Sequence, residues 1–273
     1  PLRRGPLHFK AVGIARTDPI GLMRSFINVP AVQATLILPR RYAIPPVALP
    51  GTVKYQEGGV AFASNVGQSE EFVSLRDYRA GDPLRHIHWR TWARIGKPVV
   101  KEFEDEFFVR HALVLDTFTE LDPSELFEEA VSVAASFACT VATQESLLDL
   151  LFVGPESYCF TAGRGVSQGD HMLEILASVR ACREERFADL ERLVIDHAPV
   201  VSGCICVLLS WDDQRQEFIR KLRMLGVPVL VLLLVEEEDK RVYDAGPMSA
   251  EPGRFHVLRL GDVERSLGTL RCE

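Results

Sequence analysis

The sequence lacks most of the short patterns that betray catalysis or metal binding. No HExxH stretch occurs, and no CxxC pair. The six cysteines (Cys139, Cys159, Cys182, Cys204, Cys206 and Cys272) do not cluster with histidines at zinc-ligand spacing, which argues against a zinc ribbon or finger. Several stand in apolar surroundings, as in "FAC" and "CICVLL". They read as reduced core thiols of a reducing compartment. No apolar run reaches the roughly 18 residues that a membrane span needs. No signal-peptide pattern opens the chain. It starts at Pro1 rather than Met, so a preceding segment is expected in a longer form.

Charge is plentiful but unevenly placed. The net charge is -7 over 273 residues. Residues 1–110 carry 16 lysines and arginines against 10 acids, so the excess of acid lies in the remainder. Two modules, or two different partner surfaces, would produce this split, as would solvated faces alone. With 47% hydrophobic and 25% charged residues the composition is that of an ordinary globular protein.

The first 110 residues hold few helical patterns. "LHFKAVGI" and "VQATLILP" alternate as strands do. "TDPIGL" and "RYAIPPVALPG" are turn and extended stretches, and "EGGVAFASNVGQSEE" reads as a loop. From residue 111 the pattern changes. "HALVLD", "LLDLLFVG", "CICVLLSW" and "VPVLVLLLV" are short, nearly continuous apolar runs, as expected of strands buried on both faces. "SYCFTAGRG" reads as an edge strand and turn, and "FHVLRL" as a last strand. Helical stretches intervene: "DPSELFEEAVSVAASFACTVAT" with Asp122 as its cap, "QGDHMLEILASVRA", "REERFADLERLVIDHA", and "DDQRQEFIRKLRMLG" with Gly226 as its stop. This alternation predicts an α/β fold with a doubly wound, mostly parallel sheet. A smaller β-rich domain is expected to precede it, and the family resemblance described below implies that it is sandwich-like and incomplete. The expected division is 1–70 β-rich, 71–110 a linking segment, and 111–273 the sheet domain. In such sheets ligands bind at the carboxyl ends of the strands. Asp116 stands at the end of the first buried strand, with Asp212 and Asp213 just past the third, so these carboxylates are expected to converge.

The linking segment "LRDYRAGDPLRHIHWRTWARIGKPVVKEF" (75–103) is dense in arginine and tryptophan. Asp82 followed by Pro83 predicts a helix start and Gly96 its end. A helix over 83–95 would set Arg85 four residues from Trp89, in reach of a cation–π contact, and Arg90 four from Arg94. His86 and His88 would face different ways, so no metal pair is formed. Nucleic-acid binding would use the arginines on phosphates and the tryptophans on bases, but Glu102, Glu104, Asp105 and Glu106 follow at once. The favoured reading is structural: arginines bridging aspartates and carbonyls, tryptophans packed beneath, tying the β-rich part to the sheet.

This stretch resembles the signature of the bacterial domain-of-unknown-function family 58. Arg76, Asp77, Tyr78, Gly81, Asp82, Arg85, Ile87, His88, Trp89, Arg90, Ala93 and Arg94 carry the resemblance, and "RRGPLHFK…TDPIGLMR" upstream extends it. The family resemblance implies a von Willebrand factor A-like second half. It also implies a MoxR-type AAA+ ATPase as partner, and membrane helices ahead of this chain that would hold the longer protein at the cytoplasmic face of the inner membrane. No nucleic acid is expected as partner. Von Willebrand A domains often hold Mg²⁺ on a D-x-S-x-S loop, and carboxylates, hydroxyls and water suit that ion. The corresponding loop here is "DTFTE", with Phe118 and Glu120 where the two serines would stand. Asp116, Thr119, Glu120 and Asp212 are the candidate ligands, with Ser167 the nearest hydroxyl from a third loop. The alternative is that Asp116 caps a helix or pairs with an arginine. The resemblance therefore implies a non-enzymatic adaptor for the ATPase. The rival reading is a metal-dependent hydrolase built on the Asp116/Asp212 crevice.

Overall fold

The structure, a computed structural model, describes residues 3–45, 72–82, 84–103, 109–119, 124–142, 147–162, 166–183 and 187–270. The expected "EGGVAFASNVGQSEE" loop and the Asp122 cap lie outside them. The chain divides into two compact units, Pro1–Thr52 with Val109–Glu273, and Val53–Phe108. This differs from the expected division at 70 and 110: the N-terminal β-rich residues belong with the α/β body.

That attachment has a physical cause in two side chains. The N-terminal residues form a long antiparallel ribbon of β1 (Gly5–Thr17) and β2 (Arg24–Ile37), joined by the expected turn. A two-stranded ribbon is marginal in water by itself, and this one is largely exposed: the cross-strand pair Ile14 and Ile27 are 53% and 61% exposed. Its base is held instead. The Arg4 guanidinium, almost fully buried, donates to the carbonyls of Leu176 and Val179 at 3.1 and 2.6 Å, meets Glu128 at 2.8 Å, and lies over the Phe127 ring. After β2 the chain returns to the body at Tyr42, whose amide donates to Ser136 Oγ and whose hydroxyl donates to Glu129.

In the Val53–Phe108 unit, β3 (Phe72–Asp77) pairs antiparallel with β4 (Val99–Phe103), and the short helix α1 (Trp89–Ile95) precedes β4. The expected helix over 83–95 is broken. Leu84–His86 form a 3-10 turn, and Ile87 instead bridges to Val100 of β4. Burial of Ile87, at 6% exposure, favours the sheet contact over a continued helix. Gly96 ends α1 in the left-handed conformation, φ 71°, which glycine adopts without a Cβ clash.

The body follows the α/β pattern closely. β5 (Arg110–Leu115), α2 (Glu125–Ala142), β6 (Leu147–Val153), β7 (Ser157–Ala162), α3 (Val166–Ser178), α4 (Phe187–His197), β8 (Gly203–Leu208), α5 (Asp213–Met224), β9 (Val229–Val235), β10 (Phe255–Arg259) and α6 (Val263–Gly268) succeed one another. Six strands form one mixed sheet in the order β10-β9-β8-β5-β6-β7, parallel except for β7 at one edge. Strand residues alternate between two cores. Leu113, Leu115 and Ile205 pack with α2, α3 and α6, while Ala112, Val114, Cys204 and Cys206 pack with α4 and α5. Burial on both faces is why these strands read as unbroken apolar runs. The cap of α2 is Ser124, whose Oγ accepts from Phe127 N at 3.2 Å. Among the described residues, no helix is long and apolar enough to cross a membrane.

Candidate functional site

β5 and β8 are hydrogen-bonded neighbours and run parallel, so their carboxyl ends lie side by side. The loop after β5 is fixed to β8 by Asp116 N donating to Val207 O at 2.9 Å. α5 begins at Asp212, whose Oδ1 accepts from Arg215 N at 2.9 Å as an N-cap should. Two carboxylates thus approach each other, as the strand-end argument requires.

An arginine, three residues into α5, stands between them. The Arg215 Nε donates to Asp116 Oδ2 at 2.6 Å, and its Nη1 donates to Asp212 Oδ2. Its guanidinium also lies 4.6 Å above the Phe187 ring. Asp116, at 0% exposure, takes two further donors, Phe118 N on Oδ1 at 3.0 Å and Leu209 N on Oδ2 at 3.2 Å. Burial works against the charge of Arg215, but Asp116 and Asp212 together hold its pKa above the ordinary arginine value. Burial likewise raises the Asp212 carboxyl. The amide and charge of Arg215 outweigh it and leave that carboxyl below the usual range.

This arrangement does not fit a Mg²⁺ site. A cation is already present at the meeting point, and both Asp116 oxygens are committed to N–H donors. Phe118, at a ligand position of the loop, packs edge-on against Phe187 at 6.0 Å. The Thr117 hydroxyl donates to Val153 O, and Thr119 uses its amide on Cys182 O at 3.1 Å. Glu120 and the side chain of Ser167 lie outside the described residues, and Asp213 is exposed at the first turn of α5. Among the described residues, no group of three His, Cys, Asp or Glu side chains could hold a metal ion. Sequence reasoning missed Arg215. Its available signal was a cation in the first turn of a helix, where the macrodipole disfavours positive charge.

The signature segment divides in two. Arg76 forms a two-pronged pair with Asp82, Nη1 to Oδ2 at 2.7 Å and Nη2 to Oδ1 at 2.8 Å, and Arg79 N also donates to Asp82 at 2.8 Å. Asp82 is therefore the anchor of a turn and not a helix cap. The hydrogen bond from Arg76, then that from Arg79 N, hold its carboxyl down at about 2. Tyr78 N donates to Pro98 O at 3.0 Å, Gly81 lies in the turn, and Asp77 is exposed.

The other half, α1, buries no residue. Trp89 and Trp92 stack at 5.2 Å, with Trp89 61% exposed, and Arg90 and Arg94 are exposed beside them. The tryptophans are not packed beneath an arginine network, as expected; they form part of an open face. The side chain of Arg85 is not among those described. Its 3-10 turn is separate from α1, so the helical spacing expected to bring it over Trp89 does not apply.

A family model described as "Protein of unknown function DUF58" matches residues 74–254, from the signature segment through α5 and β9. The chain belongs to the DUF58 family. This DUF58 protein is similar to "Uncharacterized protein YeaD" of Bacillus subtilis (strain 168), with 30% identity over 96% of the chain. It spans 65% of that relative's length.

Proposed function

We propose that this DUF58 protein is a non-enzymatic adaptor that works with a MoxR-type AAA+ ATPase. In its longer form it would be held at the cytoplasmic face of the inner membrane by a preceding segment. The open face of α1 carries the reading: the stacked pair Trp89 and Trp92, with Trp89 61% exposed, leaves ring area in water unless a partner covers it, and the exposed Arg90 and Arg94 stand beside it. Tryptophan and arginine are the residues that most often dominate protein–protein contacts.

The strand-end site supports the same conclusion from the other side. Arg215 supplies internally the positive charge that a metal-dependent hydrolase would need from an ion, so the hydrolase reading is not favoured. The sheet, with its single antiparallel edge, is compatible with a von Willebrand factor A-like domain, the class that the adaptor reading calls for.

The experiment is a pull-down of this protein with a MoxR-type AAA+ ATPase, with ATPase rate as second readout. Arg90→Glu with Arg94→Glu should abolish capture while the thermal transition stays in place. Absence of capture by the parent chain, with no change in ATPase rate, would sink the proposal.

A further inference from the structure

The far end of the β1–β2 ribbon carries a second surface, independent of the ATPase reading. The cross-strand pair Leu7–Thr35 lies beside the anchored base, and the pair Thr17–Arg24 closes the ribbon at its tip. At about 3.3 Å per residue the tip stands about 33 Å along the ribbon from that base. The turn there is apolar on its outside. Ile20, Leu22 and Met23 are 79%, 81% and 76% exposed, and Phe26 beside them is 71% exposed. Single apolar residues on a surface need no explanation, but a contiguous group does.

These side chains stand on every side of the tip. Ile14 pairs with Ile27, whereas Phe26 pairs with Ala15, so Phe26 stands on the face opposite the two isoleucines. Ile20, Leu22 and Met23 close the end. A protein partner meets a ribbon on one face or along one edge. A tip that is apolar all round matches a medium that is apolar in every direction. The backbone of the turn suits such a medium. Asp18 N donates to Met23 O, Gly21 N to Asp18 O, and Met23 N to Asp18 Oδ1, each at 3.0 Å. Polar groups paired in this way leave water at low cost.

Two arginines stand just behind the apolar end. Arg16 pairs with Ser25 on the Ile14 face, and Arg24 pairs with Thr17 on the Phe26 face, so one guanidinium flanks each side. Both are exposed, and neither has an ion-pair partner among the described residues. Between Ala15 and Asn28, a stretch described throughout, the one acid is Asp18, whose Oδ1 already holds Met23 N. Charges around the base of the ribbon are about four Debye lengths away at physiological salt and are screened there. Arginine stems lie along apolar surface while their heads stay wet, and the guanidinium fork matches phosphate oxygens.

We infer that the tip of the ribbon, Ile20 to Met23 with Phe26, dips into the surface of a phospholipid bilayer, with Arg16 and Arg24 on lipid phosphates. Insertion of apolar side chains supplies the larger part of the affinity, and anionic headgroups add to it through the two arginines.

The test uses this chain and sedimentation with vesicles of phosphatidylcholine, with and without phosphatidylglycerol, followed by hydrogen exchange of the bound form. Saturable binding is expected, stronger with phosphatidylglycerol, with added amide protection confined to residues 15–28. Leu22→Ser with Met23→Ser should weaken binding about ten-fold or more and leave the thermal transition in place, since both side chains are exposed. Val242→Ser replaces an apolar residue off the ribbon that is 97% exposed, and should leave binding unchanged. Arg16→Glu with Arg24→Glu should remove the gain from phosphatidylglycerol. Binding that survives the two serines, absence of binding to either vesicle, or protection outside the ribbon would overturn the inference. So would a dimer in solution that the same serines dissolve, which would assign the tip to a second copy.

Discussion

Replacing Arg215 by methionine tests whether an arginine has taken over the task of an ion. The change removes the only cation in contact with Asp116 among the described residues, and Asp116 is 0% exposed. Asp116 keeps two amide donors, Phe118 N at 3.0 Å and Leu209 N at 3.2 Å, but no countercharge. Breaking a buried ion pair by removing one partner costs about 3–5 kcal/mol. Here the other partner, Asp212, has a side chain 47% exposed, so water can reach one end of the vacated space. A value near the lower end, about 3 kcal/mol, is therefore expected. For a unit of this size that lowers the thermal midpoint by about 6–12 °C. Asp116→Asn in the same chain should recover part of the loss, because the stranded charge is gone; the double-mutant cycle measures the coupling. The variant with Arg215 removed leaves two carboxylates facing one space, so millimolar Mg²⁺ should raise its midpoint and leave that of the parent unchanged. Differential scanning fluorimetry with and without Mg²⁺ reads all of these. A midpoint drop under about 2 °C, or stabilisation of the parent by Mg²⁺ that vanishes in Asp116→Ala, would refute the reasoning.

Three further outcomes follow from other residues. His111 in β5 is 3% exposed, and burial lowers its pKa to about 4 from the ordinary 6.5. The folded state thus resists protonation that the unfolded chain accepts, so stability should fall as pH drops from about 6.5 to about 4, by up to about 3 kcal/mol. Urea midpoints across that range check it, and His111→Gln should flatten the slope. Arg4→Ala strands two carbonyls and Glu128, and should cost about 2–4 kcal/mol; increased proteolysis of the ribbon is the accompanying sign. Arg90→Glu with Arg94→Glu should change stability by less than about 0.5 kcal/mol, since α1 buries nothing. A large loss of stability would instead show that these arginines support the fold, and would remove the surface on which the adaptor reading rests.

Local pattern carried the body of the protein a long way. The runs at β5, β6, β8 and β9 were legible because a strand covered on both faces is apolar at nearly every position; the exception in β6, Asp149, is buried against Arg110 of β5. Gly226 marked the end of α5 because it is left-handed there, φ 73°. Position along the sheet also put Asp116 and Asp212 at neighbouring strand ends. The errors lie where tertiary contacts outbid local signals. Asp82-Pro83 has the form of a helix start, yet a two-pronged arginine six residues upstream claims the carboxylate. Ile87 leaves the helix because β4 offers it burial.

The sequence by itself determined the α/β order and the buried strands, since each depends on residue type and short spacing. Only the tertiary structure decided which cation stands between Asp116 and Asp212. Arg215 and Asp116 are 99 residues apart, and Arg4 reaches carbonyls more than 170 residues away. No periodicity encodes such pairs. They exist because parallel strands bring distant loops together, and because a buried charge must find its partner wherever the fold has put one.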